Sequence, residues 1–220
     1  QFTRLFASTK ERDLTKIGKF GIGFVSVFAL EPEAILVETG RGGEYWEVLF
    51  HEDRSFSKTE LDQPVEGTQI TIFIAGDIHR YREMVDGIRE TLGHWCNHSE
   101  TEVYFEDRSS TDDFSEPELI NEEFAVEGHL PVTVTHEGTE IVAAYSEEPV
   151  YGFYNRGLTL ALTEAADDVL GERASRFYHI AFKIKSRYLE HTLSRETVMR
   201  DENYEKAMQL LEAAASGPLF

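Results

Sequence analysis

Cysteine is almost missing from this chain: Cys96 is the one thiol among 220 residues. A lone cysteine cannot close a disulfide within the chain, so a reducing, cytoplasmic setting is the expectation. Basic residues are scarce as well. Lys and Arg number 21 against 41 Asp and Glu, a formal net charge of −20, and such a surface repels the phosphates of DNA and RNA. Nucleic acid is therefore not an expected partner. No run approaches the roughly 20 apolar residues of a membrane-spanning helix, so no membrane is expected either. The first residues do not read as a signal peptide. The chain opens on Gln1 without an initiator Met, 16 residues ahead of its strongest motif, and the expectation is a fragment whose upstream portion lies elsewhere. What is present is ordinary for a globular protein: 41% of the residues are hydrophobic, enough at this length for one large domain or two modest ones.

Periodicity divides the chain in two. Residues 1–16 are polar and mixed in charge, with Phe2, Leu5 and Phe6 at loose helical spacing, and read as a lid-like segment. Phe24 to Leu30 reads as a buried helix ended near Pro32. Ala34–Thr39 and Glu44–His51 are β-type runs on either side of Gly40-Arg41-Gly42-Gly43, a hairpin signal. Thr68–Ile74 alternates as a strand, and Asp77 caps a helix whose apolar positions 78, 81, 85, 88, 92 and 95 form a stripe expected to face a core. Thr101–Glu106 closes this unit as a short strand. Asp107 to Pro117 is acidic and polar, with Phe114 its one large apolar residue, and reads as a linker. Beyond it, strands are expected at Phe124–Leu130, Val132–Thr135, Glu140–Tyr145, Tyr151–Leu162 around Asn155-Arg156-Gly157, and Tyr178–Ser186. Helices are expected at Ala165–Leu170 and Tyr204–Ala215. The whole predicts an α+β protein with a unit over 1–108, a linker over 109–121 and a second unit over 122–220.

The motif with most chemical content is Ile17-Gly18-Lys19-Phe20-Gly21-Ile22-Gly23-Phe24. Glycines permit positive φ and close approach of a ligand to the backbone, and a helix following them offers free N–H groups to an anion. By spacing alone the run suits a structural turn, a dinucleotide-binding loop or a phosphate nest. The dinucleotide reading needs a preceding strand, but Thr9 to Lys16 is charged; it also predicts a parallel sheet, where Glu38 would serve as the ribose acid. The P-loop reading lacks the Gly-Lys-Ser/Thr ending.

The order of elements around the glycines resembles the GHKL ATPases, specifically the ninety-kilodalton heat-shock chaperones and their bacterial paralogues. There a lid runs into I-G-x-F-G-[IV]-G-F, then a helix, an antiparallel meander, and Gly-Thr opening an alternating strand. Here the meander is followed by Gly67-Thr68-Gln69-Ile70, then by a long helix and a short strand. Leu193-Ser194-Arg195-Glu196 is similar to the L-x-[IL]-S-R-E segment of the chaperones' middle domain. The resemblance implies a partial Bergerat-type sandwich, an antiparallel sheet with helices on one face, followed by a transducer domain. It implies ATP and Mg²⁺ as cofactors. Gly18, Lys19, Phe20, Gly21, Ile22, Gly23 and Phe24 would cradle the phosphates, and Thr68 would contact the adenine end. Arg195 would reach the γ-phosphate, where its planar donors stabilise negative charge. The expected partners are ATP, a protein client and, with nucleotide, a second copy.

There are departures from the family. Its adenine-binding D-x-G-x-G and its upstream Glu/Asn helix, which activates water and holds Mg²⁺, are absent, so no metal ligand is assigned and this chain alone is expected not to hydrolyse ATP. The segment before the glycines is shorter than the chaperone lid, and Phe6-Ala7-Ser8-Thr9-Lys10 is closer to MutL-like members. A catalytically inactive scaffold and a MutL-like DNA-processing ATPase are the alternatives, the second opposed by the charge. Elsewhere, His94 and His98 stand at i and i+4, a spacing open to a metal, though the ordinary expectation is histidines interacting with a helix end. His51-Glu52-Asp53, Asp112-Asp113 and Glu122-Glu123 read as solvated charge. Ser8, Ser26 and Ser194 lack a nucleophile elbow, and Cys96 reads as structural.

Overall fold

The computed structural model describes residues 23–109, 116–192 and 197–216. The fold is α+β, built on antiparallel sheets with few helices. Two compact units follow one another along the chain, the first running to Arg82 and the second from Glu83.

In the first unit, β1 (Ala34–Arg41) and β2 (Glu44–His51) form the hairpin that the glycines foretell, with Ala34 opposite His51 and Arg41 opposite Glu44. Its two-residue turn is Gly42-Gly43, at φ 65° and 86°, angles that glycine adopts without the clash a Cβ would bring. β3 (Phe56–Glu60) and β4 (Thr68–Phe73) complete a sheet of order β3-β2-β1-β4, antiparallel at every pairing. That pattern removes the dinucleotide-binding alternative, which requires parallel strands. Because side chains alternate, Ile35 and Val37, Val48 and Phe50, and Ile72 share one face. The segment Gly23–Leu30 packs on this face through Phe24, Val27 and Phe28. It is a 3-10 helix, and Val25 and Leu30 are exposed. The buried α-helix expected from its composition is thus a tighter helix covering the sheet with one side only.

α1 (Ile78–Cys96) starts where the Asp77 carboxylate accepts hydrogen bonds from the His79 and Arg80 amides, at 3.1 and 3.0 Å, satisfying two donors that the helix leaves unpaired. The apolar stripe expected to enter a core does not do so: Ile78, Tyr81, Ile88 and Trp95 are exposed, and none of the helix's residues is buried.

The second unit carries β7 (His129–His136), β8 (Thr139–Tyr145), β9 (Tyr151–Asn155), β10 (Leu158–Thr163) and β11 (Ile180–Ser186) in the order β10-β9-β11-β8-β7. β9 and β11 are parallel; the other neighbours are antiparallel. β7 is one strand, where the sequence suggested a break at Pro131. Proline cannot donate to a ladder, but β7 lies at the sheet edge and its register shifts between His129 and Val132, so the missing N–H is tolerated. α2 (Ala166–Leu170), a 3-10 helix (Gly171–Arg176) and α3 (Glu202–Ala215) cover one face. α3 begins at Asp201, whose carboxylate accepts from the Asn203 and Tyr204 amides. Its stripe Tyr204, Ala207, Met208 and Leu211 packs with Phe153, Phe182 and Ile184 in the main core. β5 (Tyr104–Phe105) and β6 (Glu118–Leu119) pair across the polar stretch read as a linker.

Candidate functional site

Of the residues singled out by sequence, Gly18 to Ile22 and Arg195 lie outside the described residues. Gly23 and Phe24 open the 3-10 helix, whose first turn holds no acidic residue. Such a helix start does not set a carboxylate of its own against the positive end of the helix. Phe24 fixes this end on the sheet: its ring centroid lies 5.1 Å from that of Phe50, with Phe28 5.9 Å from the same ring.

Thr68 is the first residue of β4 and stands opposite Thr39 of β1. Their hydroxyl oxygens are 2.7 Å apart, and Thr39 also donates to the Gly67 carbonyl at 3.2 Å. Gly67 accepts a second bond from the Gly40 amide at 2.9 Å, which secures the turn ahead of Thr68. By register Thr68, Ile70 and Ile72 lie on the face that the 3-10 helix covers. The helix shields Ile72 but leaves Ile70 45% exposed, and Thr68 is exposed beyond it. One sheet face thus carries a helix start toward one end, an uncovered apolar position, and a pair of hydroxyls at the other end. Trp46 is opposite Thr39 on the same face, with the Lys58 ammonium 3.4 Å from its ring centroid.

The second unit holds a polar cluster that sequence reasoning did not find. His98, just beyond α1, is 4% exposed and lies 2.9 Å from the Lys183 ammonium of β11 through Nε2. Its Nδ1 is 3.4 Å from the Glu122 carbonyl, and Phe124 and Tyr154 meet the ring edge-on. Burial first, then the Lys183 charge, hold its imidazole below the ordinary range; burial likewise lowers Lys183. His98 is therefore a buried packing residue, where the sequence suggested a histidine paired only with a helix end. The one signal available was its i, i+4 spacing from His94, and that spacing carries no information about β11. A separate cavity of about 430 Å³ lies between α3 and the β7–β8 turn, lined by His136, Ser186, Tyr188, Asn203 and Lys206 among others. No sequence motif marked it.

No protein-family model matches the chain. Curated proteins do align with it, among them the chaperone protein HtpG of Ehrlichia ruminantium strain Gardel and that of strain Welgevonden. Each is 31% identical over 128 residues. The chain resembles HtpG over about half its length. The match takes in 54% of this chain and 18% of the relative, so the chain spans less than a fifth of the curated relatives it matches. The likeness is that of a distant relationship to heat-shock chaperones. Among the described residues, no helix is long and apolar enough to cross a membrane.

Proposed function

We propose that this chain is part of a chaperone-like ATPase of the GHKL type, in which nucleotide drives closure of the lid and of the two domains on a protein partner. The observation that carries the reading is the HtpG similarity, taken with a glycine run that leads directly into a helix seated on an antiparallel sheet. The described residues fit a nucleotide at two points. The first turn of the 3-10 helix carries no acidic residue to repel a phosphate, and Thr68 offers an exposed hydroxyl on the same sheet face. The net charge of −20 supports this reading over a DNA-processing one.

In this reading the amides of Gly21, Ile22, Gly23 and Phe24 bind phosphate oxygens, with Gly18 and Phe20 shaping the loop and Lys19 adding positive charge nearby. Thr68, held by Thr39, receives the adenine end. Arg195 orients on the γ-phosphate and ties nucleotide state to the second domain, the division falling at the 109–121 segment. ATP would supply the free energy of phosphoryl transfer, with Mg²⁺ accompanying its phosphates; no Mg²⁺ ligand or catalytic acid is assigned to this chain. The protein would act on a client and pair with a second copy. The test compares ATP turnover and nucleotide affinity of the N-terminally extended protein with those of Arg195→Ala. The variant is expected to keep its affinity and lose about 10²–10³-fold in turnover, the scale on which a missing transition-state donor is felt. Undiminished turnover would remove Arg195 from the site.

A further inference from the structure

The His98–Lys183 contact stands apart from the nucleotide reading and does not depend on it. An ammonium can only donate, so at 2.9 Å the His98 Nε2 must present its lone pair to Lys183. The ring proton then sits on Nδ1, which faces the Glu122 carbonyl at 3.4 Å. A neutral imidazole thereby joins β11 to the segment after β6, at the point where α1 ends.

The segments it joins are bound to one another by a closed set of hydrogen bonds. The Glu122 amide donates to the Asn97 carbonyl at 2.7 Å and the Ile120 amide to the Val103 carbonyl at 2.9 Å. The Val103 amide donates to the Asn121 side chain at 2.7 Å, and that side chain returns a bond to the Ser99 carbonyl at 2.9 Å. On the sheet side, Thr159 donates to the His94 carbonyl at 2.6 Å and the Glu100 amide to the Arg156 carbonyl at 3.2 Å.

The charges facing His98 come from each element around it. β11 contributes Lys183 and also Lys185, which is paired with Glu140 at 2.7 Å and lies over the Phe124 ring. The loop after β6 contributes Glu122, whose carboxylate accepts from the Asn97 amide group, and Glu127 acts on Lys183. β9 contributes the Tyr154 hydroxyl, which is buried without a hydrogen-bond partner. Among the described residues no carboxylate is hydrogen-bonded to the His98 ring, and the nearby Glu122 charge favours a second proton less than burial and Lys183 oppose it.

We propose that His98 is a proton-operated latch: neutral, it holds the end of α1 and the segment around Glu122 on the second sheet, and protonated, it is expelled by Lys183 and frees both. Two like charges cannot share a half-buried hydrogen bond, because one must donate to a nitrogen that no longer has a lone pair. The direction with pH follows. The folded imidazole is held below the ordinary value of about 6.5, so the open form binds the proton more readily. The latch is fully closed above that value and weakens as pH falls through it toward the depressed folded value.

The test is an NMR titration of the His98 ring with amide hydrogen exchange on the whole chain, from about pH 8 to about pH 5. The protection of the Val103, Ile120 and Glu122 amides is expected to fall by up to about tenfold per pH unit, the slope of a one-proton linkage, while β8–β11 amides stay protected. Lys183→Met should raise the His98 midpoint and reduce the loss of protection, leaving only the part due to burial. His98→Gln, neutral at every pH and able to accept from Lys183, should give protection independent of pH. An imidazole that titrates at its ordinary value, or one whose protonation leaves these amides protected, overturns the latch. Should His98→Gln fail to fold, the Lys183→Met titration decides alone.

Discussion

The two sheets of this protein are covered very differently. The second sheet is sealed on one face by α2, α3 and the short helix between them, and Tyr151, Phe153, Phe182, Ile184, Tyr204 and Met208 are all but inaccessible. Among the described residues, the first sheet is covered by a single 3-10 helix over Ile35, Val37, Val48 and Phe50, and Ile70 stays open on that same face. A sheet stabilised on one face by three helices holds its own core; one with eight residues of helix on it leaves surface for something else to occupy. In the reading proposed above, that something is nucleotide.

The comparison can be broken by substitution, because Trp46 lies in the first unit and Trp95 in the second. Single-tryptophan variants therefore follow each unit separately in denaturant. Phe182→Ala should have the largest effect. Its ring packs against Tyr151, Phe153 and Phe177, and truncation should cost about 3–5 kcal/mol, seen at Trp95 while the Trp46 transition keeps its midpoint. A common shift of both signals would contradict two separately stabilised cores. Gly157→Ala comes next. Gly157 has φ 82°, and a Cβ there would lie against the His98 carbonyl; about 1–3 kcal/mol is expected at Trp95. Asp201→Ala removes the carboxylate that caps α3 and should cost about 1 kcal/mol at the same probe. Thr39→Val is the smallest, under about 0.5 kcal/mol at Trp46, since both hydroxyls of its pair are exposed. A larger loss there would mean that the hydroxyl pair holds the sheet together, contrary to a role in binding.

Turn chemistry made much of this fold legible. Gly42-Gly43 and Gly157 mark two hairpins, because glycine takes their positive φ values without strain; Arg156 beside Gly157 takes φ 50° as well. The α3 stripe was readable for the same reason that it is buried: Tyr204, Ala207, Met208 and Leu211 recur at helical spacing. Other elements gave no local signal. β3 reads Phe-Ser-Lys-Thr-Glu, exposed at every position, and is held by its pairing with β2 alone. β6 is two residues inside an acidic stretch and exists through its partner β5. The α1 stripe shows the opposite case, a clear pattern with no buried residue beneath it. For the site, Thr68 was found from Gly-Thr and a strand pattern, whereas its partner Thr39 becomes visible only when β1 and β4 are paired. His98 stands out in sequence only by its spacing from His94; its contact with Lys183, 85 residues away, leaves no local signal.

The central claim is that the glycine run cradles phosphate. Calorimetric titration of the N-terminally extended protein with a non-hydrolysable ATP analogue, beside Gly21→Val, tests it most directly. The account predicts saturable binding by the parent and none by Gly21→Val, whose side chain would occupy the space the phosphates need. Equal affinity in the two proteins would contradict it.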